Sequence, residues 1–307
     1  MSKSNISVLE NEVLEDVLLD EEIEEIEASG SKIRPFLKWA GGKYKSIDKI
    51  KKKFPKECKR FVEPFLGAGS IALNVDYPHS IVNDTNKDLI QLWQFLKNKG
   101  EEFVSDCEKL FVDKNNKEDV FYKFRDEFNT TKDKWRKAIL FVYLNRHCFN
   151  GLCRYNADGN YNVPFGKYDK PYFPREEFEI CINKIKNFDF HNKDFREIFD
   201  LVQKDDLVYC DPPYLPMSET ASFDAYAQGG FALKDQIELA ELAMKAAKKG
   251  AIVVISNHYN WYSREIYVNM CGAKITSLDV ARTISGTSNK RNPVKEILAV
   301  FKKGYYQ

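Results

Sequence analysis

The chain has 307 residues, 43% of them apolar and 30% charged, which suits a globular protein with room for one large α/β domain carrying an insertion, or for two domains. No apolar run approaches the ~20 residues a membrane span requires, and neither the seven cysteines (58, 107, 148, 153, 181, 210 and 271; no C-x-x-C) nor the four histidines form a metal-ligand pattern, so the expectation is reduced thiols, no metal and a cytoplasmic location. The net charge of +1 hides an asymmetry: residues 1–30 carry ten acids against Lys3, while the remaining 277 carry 46 basic groups against 36 acidic ones, and a basic body favours a polyanionic partner.

Residues 1–30 form an acidic extension. Leu9, Val13, Val17 and Leu18 can line one face of a short helix between acid clusters, and "EASGSK" is a linker. Two roles stay open for it, a solvated and partly disordered tail or a docking helix that regulates the basic body. Further on, "RFVEPFLGAGS" predicts a short strand, a glycine-rich turn and a helix start, and "SIVNDTN" predicts a second strand ending at Asp84. Helical periodicity dominates 86–145, as at Phe121, Phe124 and Phe128 and again at Trp135, Ile139 and Val142. "RYNADGNYNVP" (154–164) sets Asp-Gly between two short arms, a hairpin signal. "FDFHNKDF" predicts a strand ending at Asp194, "DLVYC" another, and "KDQIELAELAMKAAKKG" an amphipathic helix closed by Gly250. "AIVVISN" is a buried strand, and "KITSLDVAR" and "EILAVFK" pair around the polar loop Ile284–Pro293. Strand–helix alternation at both ends predicts a largely parallel sheet with ligands at the carboxyl ends of its strands. A catalytic domain is expected over 31–85 and 172–307, interrupted by a mostly helical insertion over 86–171.

"VEPFLGAGS" (Val62–Ser70) places Gly67 and Gly69 where a ligand can approach the backbone closely. Asp84 follows Gly69 by fifteen residues and can accept hydrogen bonds from ribose hydroxyls. An ordinary tight turn stays open for this segment alone. A dinucleotide fingerprint is incomplete here, because Ser70-Ile71-Ala72 follows Gly67-Ala68-Gly69; an adenosyl ligand without a pyrophosphate fits better. "PFLKWAGGKYKSI" (Pro35–Ile47) fails as a phosphate loop, since Leu37 and Tyr44 stand where Gly and Ser or Thr are needed. Trp39 and Lys43 can instead line a small-molecule pocket.

The most specific stretch is "YCDPPYLPM" (Tyr209–Met217). Its prolines stop the strand, because they lack the N–H that a ladder requires. An exocyclic amine on a planar base is a poor nucleophile while its lone pair is delocalised into the ring. Two acceptors aimed at the NH₂ localise that density: the Asp211 carboxylate, and the Pro212 carbonyl on a backbone stiffened by proline. Tyr214 offers a stacking face, worth about 1–3 kcal/mol per base. This is catalysis by positioning and electrostatics.

In this order, "PFLKWAGGK", "FVEPFLGAGS", "NRHCFNGLCRYN", "NVPFGKY", "KPYFP" and "CDPPY" resemble the Dam family of DNA adenine-N6 methyltransferases, a likeness that runs from about Pro35 to Phe301. The resemblance implies a Rossmann-like α/β fold, with a mixed, mostly parallel sheet, one antiparallel strand near the C-terminus, and a helical recognition insertion carrying a hairpin. It implies S-adenosylmethionine as cofactor and transfer of its methyl to adenine N6 by in-line displacement, a route that asks for no metal. Trp39, Lys43, Asp84 and Asp211 match positions at the cofactor or its pocket, with Glu63, Phe65, Gly67 and Gly69 on the turn beside it and Asp194 at the cofactor's adenine. A base inside a duplex has to be extruded. Phe149 is implied as the wedge that fills the gap, Asn150 as a partner for the orphaned base, and Arg154 as a bidentate reader of guanine. Leu152 and Pro164 would pack on a thymine methyl, and Lys38 and Lys167 would contact DNA; the loop pair Lys290 and Arg291 is a candidate DNA contact for which an ordinary solvated surface stays open. Phe149 is tyrosine in some members and Lys167 is arginine in some, so a hydroxyl and a guanidinium fork are absent here. The implied partner is duplex DNA containing GATC, bound by a protein that is a monomer in solution with room for more than one copy on DNA, in a bacterial cell or encoded by a phage. Rival chemistries are cytosine-N4 methylation, which Asp rather than Ser before the prolines disfavours, and protein glutamine methylation, which starts its motif with Asn. A catalytically silent DNA-binding regulator is the rival of another class.

Overall fold

The computed structural model describes residues 32–214, 231–280 and 294–306. The acidic extension, the residues just after Tyr214, and the loop with Lys290 and Arg291 lie outside them. Seven strands form one sheet: β1 (Phe61–Glu63), β2 (Ser80–Asn83), β3 (Phe188–His191), β4 (Leu207–Cys210), β5 (Ile252–His258), β6 (Lys274–Val280) and β7 (Val294–Phe301). Their order is β3-β2-β1-β4-β5-β7-β6. All pairings are parallel except those of β7, which runs antiparallel to both β5 and β6. The expected single antiparallel strand near the C-terminus is therefore β7.

Strand alternation builds two cores. Phe61, Leu207, Tyr209, Val254 and Leu298 face one side, and Val62, Val208, Cys210, Val253 and Ile255 the other. The helices are α1 (Ile47–Lys51), α2 (Lys87–Lys99), α3 (Glu101–Glu108), α4 (Glu118–Thr130), α5 (Lys134–His147), α6 (Arg175–Lys184), α7 (Phe195–Asp200), α8 (Leu233–Lys249) and α9 (Trp261–Arg264). α7 and α8 cover the second face through Ile198, Leu239, Ala240 and Ala243, the alanines letting α8 come close. Gly250, with φ of 106°, ends α8 in the left-handed conformation that glycine adopts most easily.

α2 covers the first face, with Trp93 stacked on Phe190 at 5.7 Å. Behind it, α5 is buried continuously from Ala138 to Asn145, so it is the central helix of the helical region rather than a surface one. Phe121, Tyr143 and Phe178 belong to the same core as Phe61 and Tyr209. The helical region between β2 and β3 is thus continuous with the sheet.

Three local expectations change. The glycine-rich turn opens onto a single 3₁₀ turn, Ala72–Asn74, because the Glu63 carboxylate takes the Ala72 N–H (3.0 Å) and the Asn74 side chain takes the Ser70 carbonyl (2.9 Å). The Asp-Gly turn forms, with Gly159 at φ 77°, but its arms meet through one bridge, Tyr155–Tyr161, and no ladder. Its second arm is claimed by α4: Asn129 bonds both the N–H and the carbonyl of Tyr161 (2.8 and 3.1 Å). Asp194 does not end a strand. It caps α7 in a reciprocal box with Glu197 and also binds the Arg196 guanidinium at 3.0 Å.

The chain passes from β1 to β2 and β3 on one side of the sheet, then crosses back to β4 and β5 on the other. The carboxyl ends of β1 and β4 therefore part around a crevice. At the opposite ends of these strands, Arg60 grips the fully buried Asp206 with two bonds of 3.0 and 2.6 Å. Asp206→Ala strands the guanidinium and should cost about 3 kcal/mol of unfolding free energy in urea denaturation. A loss below ~1 kcal/mol would mark the pair as an ordinary surface ion pair.

Candidate active site

The crevice is a cleft of about 530 Å³, lined by Trp39, Lys43, Asp84, Asp211, Tyr214 and Glu296 among others. Asp211 leaves β4 at its rim. Its Oδ1 accepts the Ser256 hydroxyl (2.8 Å) and pairs with the Lys43 ammonium (3.1 Å). Ser256, fully buried on β5, is backed by the Tyr209 hydroxyl at 3.1 Å. Among the described residues both contacts fall on Oδ1, leaving Oδ2 to the cleft. The two proline carbonyls are also treated differently. Pro213 gives its carbonyl to the buried Gln236 amide (2.7 Å), which is held in turn by Tyr267 (2.8 Å) and Asn257 (3.2 Å). No described residue takes the Pro212 carbonyl.

Tyr214 donates to Glu296 Oε2 (3.1 Å), and the Lys43 ammonium sits over its ring at 4.6 Å. Burial and the neighbouring Asp211 push the Tyr214 phenol far above its usual range, so it stays protonated. A base that stacks on the face covered by Lys43 displaces the ammonium from the ring.

The other wall is the turn after β1. Asp84 Oδ2 accepts the Gly67 N–H and its Oδ1 the Asn86 N–H, both at 2.9 Å. The surrounding protein raises the Asp84 carboxyl above the ordinary range. Gly67 has φ of 52°, and a Cβ there would fall 2.7 Å from Trp39 Nε1, so the turn admits no side chain. Phe65 packs on Phe195 and Phe231 at 5.6 Å each. Glu63 lies beneath, 2% exposed. Burial, with Asp211 and Asp84 nearby, holds its carboxyl well above the usual value. Asp194 is not part of this lining.

This donor set fits S-adenosylmethionine. The volume lies within the range of small-molecule pockets, ~300–1,000 Å³. Asp84 can accept ribose hydroxyls, the Asp211 carboxylate suits a nearby cationic group, and Lys43 suits a carboxylate.

The expected DNA residues divide by exposure. Phe149 is 50% exposed at the end of α5, and Asn150, Pro164 and Lys167 are exposed with it. The backbone N–H of Asn150 donates to the Tyr168 hydroxyl (3.0 Å), and the Lys38 ammonium covers the Tyr168 ring at 4.0 Å. Buried Asn145 bonds the N–H and carbonyl of Lys38 (2.9 and 2.8 Å), joining the Trp39 loop to the Phe149 loop. Arg154 is exposed and its guanidinium is aimed by the Asn162 side chain (2.8 Å). Leu152 is half-buried against the core.

Ser256, Gln236, Glu296, Asn145 and Tyr168 were not expected from the sequence. Glu296 alone left a signal, an acid opening the apolar run "EILAVF".

Residues 39–284 match the D12 class N6 adenine-specific DNA methyltransferase family. The chain is 45% identical to the DNA adenine methylase of Escherichia coli (strain K12), over 89% of this chain and 97% of that protein. It is 44% identical to the DNA adenine methylase of Vibrio cholerae serotype O1 (88% and 96%) and 45% identical to that of Serratia marcescens (88% and 99%).

Glu63 gives a test with a definite sign. A raised folded-state pKa means that its contribution to stability is full below the unfolded value, about 4.3, and is lost as pH rises toward the folded one. Glu63→Gln keeps an acceptor for Ala72 and cannot ionise. In denaturant titrations it should gain on the wild type between pH 5 and 8. A difference that does not change with pH would refute the buried, proton-holding carboxyl.

Proposed function

From the chain's membership in the D12 class of N6 adenine-specific DNA methyltransferases, we propose that it transfers the methyl group of S-adenosylmethionine to N6 of an adenine extruded from duplex DNA, within GATC. The observation that carries this reading is the turn after β4. Among the described residues none takes Asp211 Oδ2 or the Pro212 carbonyl at the rim of the cleft, while Ser256 and Gln236 hold the turn from behind. Both acceptors engage the adenine amino group and localise its lone pair, and Tyr214 holds the ring.

Bound S-adenosylmethionine supplies an electrophilic methyl on a sulfonium. Asp84 would hold its ribose, Lys43 its carboxylate, and Trp39, Phe65 and the Gly67–Gly69 turn its adenosyl part. Asp194, committed to capping α7, would take part only if the cap opened.

Extrusion falls to the Phe149 loop. Phe149, already half-exposed, fills the gap in the stack, so its apolar face exchanges water for base contacts and offsets part of the few kcal/mol that flipping costs. Asn150 faces the orphaned base. Arg154 reads guanine with a guanidinium already aimed by Asn162. Leu152 and Pro164 meet a thymine methyl, and Lys38 and Lys167 meet phosphates.

The test is transfer of labelled methyl from S-adenosylmethionine to duplexes with and without GATC. Labelled N6-methyladenine in the GATC duplex alone is expected; transfer indifferent to the sequence would remove GATC, and transfer to no DNA would remove the function. Asp211→Ala should abolish transfer with the fold retained, and near-normal turnover would refute its role. Arg154→Ala should relax discrimination at one guanine by about 1–3 kcal/mol, read from kcat/KM on single-substitution duplexes; an unchanged profile would exclude it as the reader.

A further inference from the structure

Five consecutive residues touch both halves of the reaction. Asp84 stands in the cofactor cleft, its carboxylate bridging the N–H groups of Gly67 and Asn86. Asn86 caps α2 by accepting the Leu89 N–H (3.1 Å), and its amide donates to Cys153 Sγ (3.5 Å) on the recognition loop. Asp88, in the first turn of α2, accepts the Tyr155 hydroxyl (3.0 Å) on Oδ2 and pairs with Lys137 of α5 (3.2 Å) on Oδ1. Tyr155 follows Arg154 directly and makes the bridge to Tyr161 that closes the loop. Lys137 lies on the helix whose end carries Phe149. The N-terminal turn of α2 therefore reaches the cleft through Asp84 and the base-reading loop through Asn86 and Asp88.

The loop also has bonds of its own: the Tyr161 hydroxyl donates to the Leu152 carbonyl (3.0 Å), the Asn162 N–H to the Arg154 carbonyl (3.1 Å) and the Asn156 N–H to the Asn160 carbonyl (2.9 Å). Its arms form one bridge and no ladder, and the second arm is held by Asn129 of α4. The first arm, which carries Arg154, is tied to the α2 segment by Asn86–Cys153 and Asp88–Tyr155. Burial and the nearby Cys153 and Asp88 keep the Tyr155 phenol protonated, so it donates to Asp88. Whatever orders Asp84–Asp88 lowers the ordering cost left for Cys153–Tyr155 when DNA arrives.

We propose that the segment Asp84–Asp88, acting through the Asp88–Tyr155 hydrogen bond, couples the cofactor pocket to target reading, so that cofactor and cognate DNA each tighten the other's binding. Asp88 and Tyr155 are positioning residues that touch neither ligand. The proposal rests on the roles given above to Asp84 and Arg154. By linkage the two enhancements are equal, and a coupling of this kind is typically about 5- to 150-fold.

The experiment uses the full chain, S-adenosylhomocysteine as a non-reacting cofactor probe, and two fluorescent duplexes, one with GATC and one with that site scrambled. Anisotropy gives duplex Kd with and without the probe, and calorimetry gives probe Kd with and without the duplex. In the wild type, saturating probe should tighten the GATC duplex at least about fivefold, the GATC duplex should tighten the probe by the same factor, and the scrambled duplex should show a smaller effect. Tyr155→Phe should bring the factor close to one while leaving probe affinity for the free enzyme within about twofold. Asp88→Ala should do the same, and the double variant should lose no more than either single one. Equal enhancement in wild type and both variants would overturn the role of the pair. A wild type that binds the probe and prefers GATC, yet shows no mutual enhancement, would overturn the coupling and leave the proposed function standing. A wild type that neither binds the probe nor prefers GATC would remove both.

Discussion

The hydrogen bond from Ser256 to Asp211 is the contact on which the rest of the site depends. A carboxylate at the end of a buried strand loses hydration and must recover it from fixed partners, or it takes up a proton. Ser256 meets that need from the neighbouring strand, backed by Tyr209, and Lys43 meets it from the loop before α1. Both act on one oxygen. The other has no partner among the described residues, and under the proposed function it would be an acceptor fixed before substrate arrives, the condition under which electrostatic catalysis avoids reorganisation. Sheet order makes this possible: because β5 lies beside β4, the position one step beyond the Cys210–Ile255 pair sets Ser256 opposite Asp211.

The same end of the sheet explains the concentration of acids. β7 runs antiparallel, so its first residues, and not its last, reach the rim, and Glu296 pairs in register with His258. Glu63, Asp84, Asp211 and Glu296 thus share one cleft with Lys43. Four negative charges that close would repel one another in a poorly hydrated space. The carboxyls of Glu63 and Glu296 are instead raised by burial, with Asp211 adding to the effect. Glu63 becomes structural, bonding Ala72 and limiting the glycine-rich turn to a single 3₁₀ turn.

What was legible in the sequence follows from how local each signal is. The strand stop at Asp211, the positive-φ glycines at 67 and 69, the parallel alternation and the helix closed by Gly250 are all written within a few residues, and the structure contains each of them. Ser256, Gln236 and Asn145 were illegible because their roles come from contacts across 45, 23 and 107 residues. Nothing in "AIVVISN" distinguishes a serine that supports a catalytic acid from one filling a strand. Asp194 was ambiguous for the opposite reason. An acid after a strand and before "FREIF" reads equally as a ligand contact or as a helix cap, and the Glu197 that completes the cap is the cue that favoured the second.

Rigidity is distributed according to task. The group proposed as the catalytic acid, Asp211, sits at a strand end fixed by a buried network. The groups proposed to face DNA sit on short loops, where Asn150 and Lys167 both hold φ of 53°, a conformation uncommon for residues other than glycine. Such backbone costs on the order of 1 kcal/mol or more and persists only when neighbours fix it. Here the neighbours are the Tyr168 hydroxyl on the Asn150 N–H, and Gly151, where any Cβ would fall 2.2 Å from that of Lys38. The loop proposed to enter a duplex is therefore already shaped, so on that reading its insertion would not also require it to be ordered. Because α5 carries this loop and shares one core with the sheet face, a displacement at Phe149 cannot be absorbed by a soft linker and is passed to the Trp39 loop through Asn145. In a packed interior a shift of that kind is transmitted rather than dissipated, which under the proposed function would tie entry of Phe149 into a duplex to the wall of the cofactor cleft.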